Sequence, residues 1–172
     1  VYCIDDIGAQ EIDDGISIKK VKGTDSEFWV HVHVANPTAF FDKTHTLSSL
    51  AAHMTQTVYT PERTFPMLPK WATDSHFSLQ KNRPVITFSS RVDRQGNVLE
   101  TNISHGVIQN PISITPSELA SSLGEKSKGE RRRLVVGGNV KTSSEARVSP
   151  TINSAQIQEL QDLYAIAKAL AK

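Results

Sequence analysis

Val1-Tyr2-Cys3-Ile4-Asp5-Asp6-Ile7-Gly8-Ala9-Gln10-Glu11-Ile12-Asp13-Asp14-Gly15-Ile16-Ser17-Ile18 sets five carboxylates between two short apolar runs. Val1 to Ile4 and Ile16 to Val21 are rich in β-branched residues and read as strands. Asp5, Asp6, Glu11, Asp13 and Asp14 therefore fall on the connection between two half-buried elements. Like charges held this close do not all stay ionised cheaply unless a cation or water compensates them. A divalent metal suits that role, because hard cations such as Mg2+ choose carboxylate oxygens. The residue types alone leave a second reading open, a solvated loop closed by an Asp-Gly turn. An EF-hand is excluded, because Ile7 stands where a second oxygen ligand belongs and no Glu follows at the required place.

Outward from this stretch, the composition is that of an ordinary globular protein. The 172 residues suffice for one medium domain or for a piece of a larger one. Because Val1 already reads as strand, the chain is expected to be a segment of a longer protein, with any targeting peptide outside it. No apolar run approaches the roughly 20 residues of a membrane span. Cys3 is the single cysteine, which excludes an internal disulfide and a Cys-based zinc site and suggests a small buried hydrophobe. The net charge of +1 does not advertise nucleic-acid binding. Its distribution says more: residues 1–14 carry only negative charge, whereas Lys126, Lys128, Arg131, Arg132, Arg133, Lys141 and Arg147 crowd a later segment.

Phe28 to Ala35 is the clearest strand, with Val30, Val32 and Val34 on one face and His31 and His33 on the other. The turn residues Lys22 to Asp25 precede it, so the first three strands are expected to form a meander. Thr46 to Thr57 has helical spacing at Leu47, Leu50, Ala51 and Met54, with Thr44 or Thr46 as cap. Pro61, Pro66 and Pro69 make the stretch from Tyr59 onward an ordered, extended loop. Val85 to Val92 and Val98 to Ile108 read as a hairpin around Asp93 to Asn97. Thr115-Pro116-Ser117-Glu118 opens a short helix, and Ser154 to Lys172 a longer one with a stripe of Ile157, Leu160, Leu163, Tyr164, Ala167 and Leu170 or Ala171. Residues 124–150 are rich in Gly, Ser, Lys and Arg and read as a flexible insertion. Trp29 and Trp71 are expected in the core or in loop packing.

Ile4-Asp5-Asp6 through Glu11-Ile12-Asp13-Asp14-Gly15-Ile16-Ser17 resembles the opening of the catalytic domain of the RNase II/RNase R (RNB) family of exoribonucleases. Val32-His33-Val34-Ala35-Asn36-Pro37 matches the strand that follows in that family, and Val58-Tyr59-Thr60-Pro61 with Pro66-Met67-Leu68-Pro69 matches the next motif. Phe77-Ser78-Leu79 and the closing Gly106-Val107-Ile108 continue the likeness, which covers about residues 1–119. The Glu-Ile-Asp-Asp-Gly form and Asn36-Pro37-Thr38-Ala39-Phe40-Phe41 look most like the fungal mitochondrial branch, the ribonuclease subunit of the mitochondrial RNA degradosome.

The resemblance implies a mixed α/β (α+β) fold, a largely antiparallel sheet with flanking helices, with residues 1–172 forming the N-terminal half of one RNB domain. It implies hydrolysis of single-stranded RNA from the 3′ end to nucleoside 5′-monophosphates, with Mg2+ or Mn2+ as cofactor. It also implies a mitochondrial matrix location and an RNA helicase subunit as partner. By position in the family motif, Asp5, Glu11 and Asp13 or Asp14 hold the metals, and loss of Asp14 stops chemistry while sparing RNA binding. Two divalent ions about 3.5–4 Å apart stabilise the attacking and leaving oxygens of an in-line displacement. Asp6 lies outside the shared positions and reads as a solvated neighbour. Glu11 stands where the best-known bacterial members have aspartate, and Asn36 where many relatives do. Tyr59 matches a tyrosine that packs against RNA, and His33 is a candidate RNA contact. The family's catalytic arginine is not in this segment, which alone is expected to be inactive. The competing reading is a catalytically degenerate RNA-binding scaffold of the same fold.

Overall fold

The computed structural model describes residues 1–6, 9, 11–125 and 152–171. The basic stretch 126–147 and nearly all of the expected insertion lie outside the described residues. A six-stranded sheet organises the rest, in the order β7-β6-β3-β2-β1-β8. Strands β1 (Tyr2–Ile4), β2 (Asp14–Lys20) and β3 (Glu27–Ala35) form the expected antiparallel meander. Strand β3 then pairs with β6 (Arg83–Asp93), and β6 with β7 (Val98–Ile108), the hairpin read from the sequence.

Strand β8 (Ile112–Ile114) was not legible in the sequence; it lies parallel to β1, pairing Tyr2 with Ile112 and Ile4 with Ile114. Three residues are too few to show a period of two. Its partner is also 110 residues away, so only tertiary packing selects it. The fold is therefore a mixed α/β domain with a mostly antiparallel sheet.

Between β3 and β6 the chain makes a long excursion. Helix α1 (Thr46–Met54) is capped by His45, whose Nδ1 accepts from the Leu47 N–H at 3.1 Å, not by Thr44 or Thr46. It stops three residues short of Thr57, because Thr55 turns to φ 61°. The proline-rich stretch contains a small hairpin of β4 (Val58–Tyr59) and β5 (Thr64–Phe65). Helix α2 (Lys70–Ala72) continues as a π-turn through Phe77, and Ala72, Phe77 and Leu68 bury together against Phe41 and Leu47. Trp71 does not join this core: it is 62% exposed, because Ala72 takes the inward position of so short a turn.

Thr115 caps helix α3 (Pro116–Ser122) in a full capping box with Glu118. Helix α4 (Ser154–Leu170) is capped by Asn153 with Gln156 and lies across the sheet. Its buried line is Leu160, Leu163 and Ile166, so the expected stripe was misdrawn at Ala167 and Leu170, which are exposed. Leu160 and Leu163 cover Tyr2 and Ile114, while Ile166 covers Phe28 and Val92. Full burial of each such side chain contributes about 1.5–3 kcal/mol. On the opposite face Cys3, fully buried as expected, packs with Leu79, Val85 and Ile108.

Candidate active site

Four hydrogen bonds and one strand pairing hold the backbone of the acidic loop. The Asp5 N–H donates to the Ile114 carbonyl at 3.1 Å, so β8 fixes the end of β1. The Ala35 N–H donates to the Asp13 carbonyl at 2.8 Å, and Asp14 pairs with Val34 as the first residue of β2. Between them, the Ile12 N–H donates to Ser78 Oγ at 2.9 Å and the Ile12 carbonyl accepts from the Leu79 N–H at 2.7 Å. Glu11 and Asp13 therefore flank a residue stitched to a buried segment, for Ser78 and Leu79 are 4% and 2% exposed.

Gly15 explains the Asp-Asp-Gly sequence without a turn. It lies within β2, and a Cβ there would meet Val1 Cγ1 at 2.9 Å, Cys3 Sγ at 3.1 Å and the Tyr2 carbonyl at 3.2 Å. Strand β1 can thus press against the start of β2, the two strands whose ends carry Asp5 and Asp14. The Asp-Gly turn reading is set aside, since the pair belongs to a strand.

The acids act on one another electrostatically. The Asp13 carboxyl is held above its usual value, first by partial burial and then by the negative charges of Glu11, Asp14 and Asp5. Asp13 still faces water, so the repulsion from these neighbours is what a bound cation would relieve. Asp5 and Glu11 are half-buried, while Asp13 and Asp14 are exposed. Asp6 is exposed and is not among the charges acting on Asp13.

The donor chemistry fits a hard cation: carboxylates only, crowded, and open to solvent on one side. Convergence is incomplete, because among the described residues no three His, Cys, Asp or Glu side chains come together closely enough to hold a metal ion. Residues 7, 8 and 10, which lie between Asp5 and Glu11, are outside the described residues.

His33 is half-buried, and its Nε2 and Nδ1 are hydrogen-bonded to Ser17 Oγ at 2.8 Å and Thr87 Oγ1 at 2.9 Å. Burial, with His31 beside it, pushes its pKa down to about 4, so the ring is neutral near pH 7. Tyr59 is 75% exposed on the β4–β5 hairpin, which is braced where the Met67 N–H donates to Thr57 Oγ1 at 3.1 Å. Asn36, one residue beyond the Asp13–Ala35 bond, is buried; its Oδ1 accepts from Thr38 Oγ1 at 2.6 Å and its N–H donates to the Pro84 carbonyl. An amide here satisfies a turn without adding a further charge. Sequence reasoning placed Ser78 within the family-like Phe77-Ser78-Leu79 but gave it no role at the site; its only chemical signal was a hydroxyl between two apolar residues.

A mostly antiparallel sheet with a helix across one face, and a carboxylate-lined loop between its first strands, defines the class. Residues 1–172 match the family model described as "RNB domain". The chain belongs to the RNB family. Mitochondrial protein cyt-4 of Neurospora crassa is 40% identical over 75% of this chain and 12% of that protein. The mitochondrial exoribonuclease II of Schizosaccharomyces pombe is 32% identical over 71% of this chain and 13% of that protein. The chain thus spans about an eighth of the length of these relatives. Among solved structures, Mycoplasma genitalium RNase R in complex with ribose-methylated single-stranded RNA superposes with a TM-score of 0.75 at 17% identity, over 98% of this chain and 23% of that one. Yeast Ssd1, a pseudonuclease, superposes with a TM-score of 0.61 at 14% identity, over 74% of this chain and 16% of that one. At such identities the structures show the fold alone.

Proposed function

We propose that this domain carries the acidic part of the active site of a 3′-to-5′ exoribonuclease, which hydrolyses single-stranded RNA to nucleoside 5′-monophosphates in mitochondrial RNA turnover. The observation that carries the reading is the crowding of Asp5, Glu11, Asp13 and Asp14 on one anchored loop, felt at Asp13 as a raised pKa. A dense set of ionised carboxylates is costly to maintain without a cation, and phosphodiester hydrolysis is a reaction that uses one. The relatives are named as an exoribonuclease and as mitochondrial proteins, which supports the activity and a mitochondrial location; the matrix rests on the family resemblance.

Asp5, Glu11, Asp13 and Asp14 would hold Mg2+ or Mn2+. Bound there, the ions supply charge stabilisation and lower the pKa of water. The chain's own contribution is placement. Ser78, Leu79 and Ala35 fix the loop, Gly15 brings the strands together, and β8 fixes Asp5. Tyr59 offers an exposed aromatic face on which a base stacks without regard to sequence, worth about 1–3 kcal/mol. The structure of RNase R with single-stranded RNA supports such a ligand for this fold. A helicase subunit as partner rests on the resemblance to the fungal mitochondrial branch.

A second reading, a scaffold that binds RNA without cutting it, is favoured by the incomplete convergence of the acids and by the pseudonuclease that shares the fold. One experiment separates them. The full-length protein is given single-stranded RNA labelled at its 3′ end, with Mg2+. The proposal expects labelled nucleoside 5′-monophosphate as the first product. Binding without release supports the scaffold, and label retained in long fragments rules out attack from the 3′ end.

A further inference from the structure

We infer that His33 is a positioning residue for the acidic loop, tying Ser17 of β2 and Thr87 of β6 to β3 through its two ring nitrogens. The inference rests on the exoribonuclease reading above, and it gives His33 a task other than touching RNA.

In the sheet, Gly15, His33 and Thr87 stand side by side in one row across β2, β3 and β6. The adjacent row holds Asp14 against Val34, and one step further the Ala35 N–H reaches the Asp13 carbonyl at 2.8 Å. His33 therefore sits immediately beneath the residues whose spacing the chemistry needs. Gly15 has no side chain with which to key β2 onto β3 in this row. The ring instead reaches diagonally to Ser17 Oγ at 2.8 Å and across to Thr87 Oγ1 at 2.9 Å. A neutral imidazole has one N–H and one lone-pair nitrogen. One hydroxyl therefore accepts from the ring while the other donates to it, and no protonation change is needed to satisfy both. Thr87 is 9% exposed, so an unmade bond there is not cheaply replaced by water.

A neighbouring pair supplies the comparison. His31 stacks on His33 with ring centroids 5.9 Å apart and bonds Ser89 Oγ at 2.8 Å. That bond joins β3 to β6 only, two rows farther from the acids, and does not involve β2. If His33 acts through general sheet packing, cutting either pair has the same effect. If it positions the loop, only the pairs made by His33 matter to the acids.

The test removes single hydroxyls from the full-length protein: Ser17→Ala and Thr87→Val against the control Ser89→Ala. Each variant is measured for single-turnover cleavage of single-stranded RNA at saturating protein with Mg2+, for RNA affinity, and for hydrogen exchange at the Ala35 amide. Ser17→Ala and Thr87→Val are expected to slow cleavage about fivefold or more, with affinity within about twofold of wild type and Ala35 exchange about fivefold faster. Ser89→Ala is expected to move rate and exchange by less than about twofold. An equal effect of all three substitutions overturns the inference, as does slowed cleavage with unchanged Ala35 exchange, or no effect of Ser17→Ala and Thr87→Val. If wild type binds RNA but releases nothing, the exoribonuclease reading falls, and Ala35 exchange alone decides the role of His33.

Discussion

Ser78→Ala probes how the acidic loop is held, and its cost can be worked from one bond. Ser78 Oγ accepts from the Ile12 N–H at 2.9 Å, and Ser78 is 4% exposed. Removing the hydroxyl leaves that N–H without its partner, and a buried unsatisfied donor costs about 1–3 kcal/mol. Ile12 is half-buried, so water recovers part of this, and about 1–2 kcal/mol is the expected net loss. The bond from the Leu79 N–H to the Ile12 carbonyl remains, so the loop loosens without detaching. Since 1.4 kcal/mol is about tenfold in an opening equilibrium, the Ile12 amide should exchange about 5- to 30-fold faster in the variant. Hydrogen exchange on the full-length protein reads this directly, with amides of β6 and β7 as an internal reference. Glu11 and Asp13 flank Ile12, so RNA cleavage should slow while RNA affinity holds. Unchanged exchange at Ile12 in a folded variant would refute the claim that Ser78 anchors the loop.

Asp13→Asn tests the charge crowding. A raised acid pKa means that its contribution to stability is full below the unfolded value and is lost as pH rises through the folded value. At neutral pH with a chelator present, the variant should therefore melt at a higher temperature than wild type. Added Mg2+ should narrow the gap by stabilising wild type; a lower melting temperature for the variant contradicts the account. For His33 the sign is opposite to that of Asp13, because its pKa is depressed: its contribution is full above about 6.5 and is lost as pH falls towards about 4. The loss should be visible as a falling urea midpoint that flattens in His33→Gln. Tyr59→Ala should weaken single-stranded RNA binding by about 5- to 150-fold, from the loss of about 1–3 kcal/mol of stacking, whereas Tyr59→Phe should bind within a few-fold of wild type. Equal losses in both would point to the phenolic hydroxyl.

The parts of the fold that were legible in the sequence are those with local signals. The β6–β7 hairpin shows alternation and a Gly-Asn turn. The Thr115 capping box shows its four-residue signature, and β3 shows valines and histidines on opposite faces. What escaped depends on partners distant in sequence. Strand β8 exists because β1 needs an edge partner, and Ser78 matters because Ile12 lies 66 residues away. The stripe of α4 was misdrawn because its inward face is chosen by Phe28 and Val92, not by the helix's own periodicity. Among the candidate site residues, the acids were readable as a charge problem, and Gly15 as a glycine. That Gly15 serves close strand approach could be seen only from the atoms it would meet. His33 was readable as a polar residue on a strand face, but its two hydroxyl partners sit on two other strands.

The most direct test of the central claim compares wild type with Asp14→Asn in the full-length protein. It measures RNA affinity and single-turnover release of nucleoside 5′-monophosphate on the same samples with Mg2+. Asp14 is exposed at the start of β2, held there by the sheet, so its replacement should leave the fold and the Tyr59 surface intact. The account predicts RNA binding within about twofold of wild type and release slowed by at least about a hundredfold, since removing one electrostatic contributor to a transition state costs on the order of 10² or more in rate. Release at near wild-type rate by the variant would contradict it and place the chemistry outside this acidic loop.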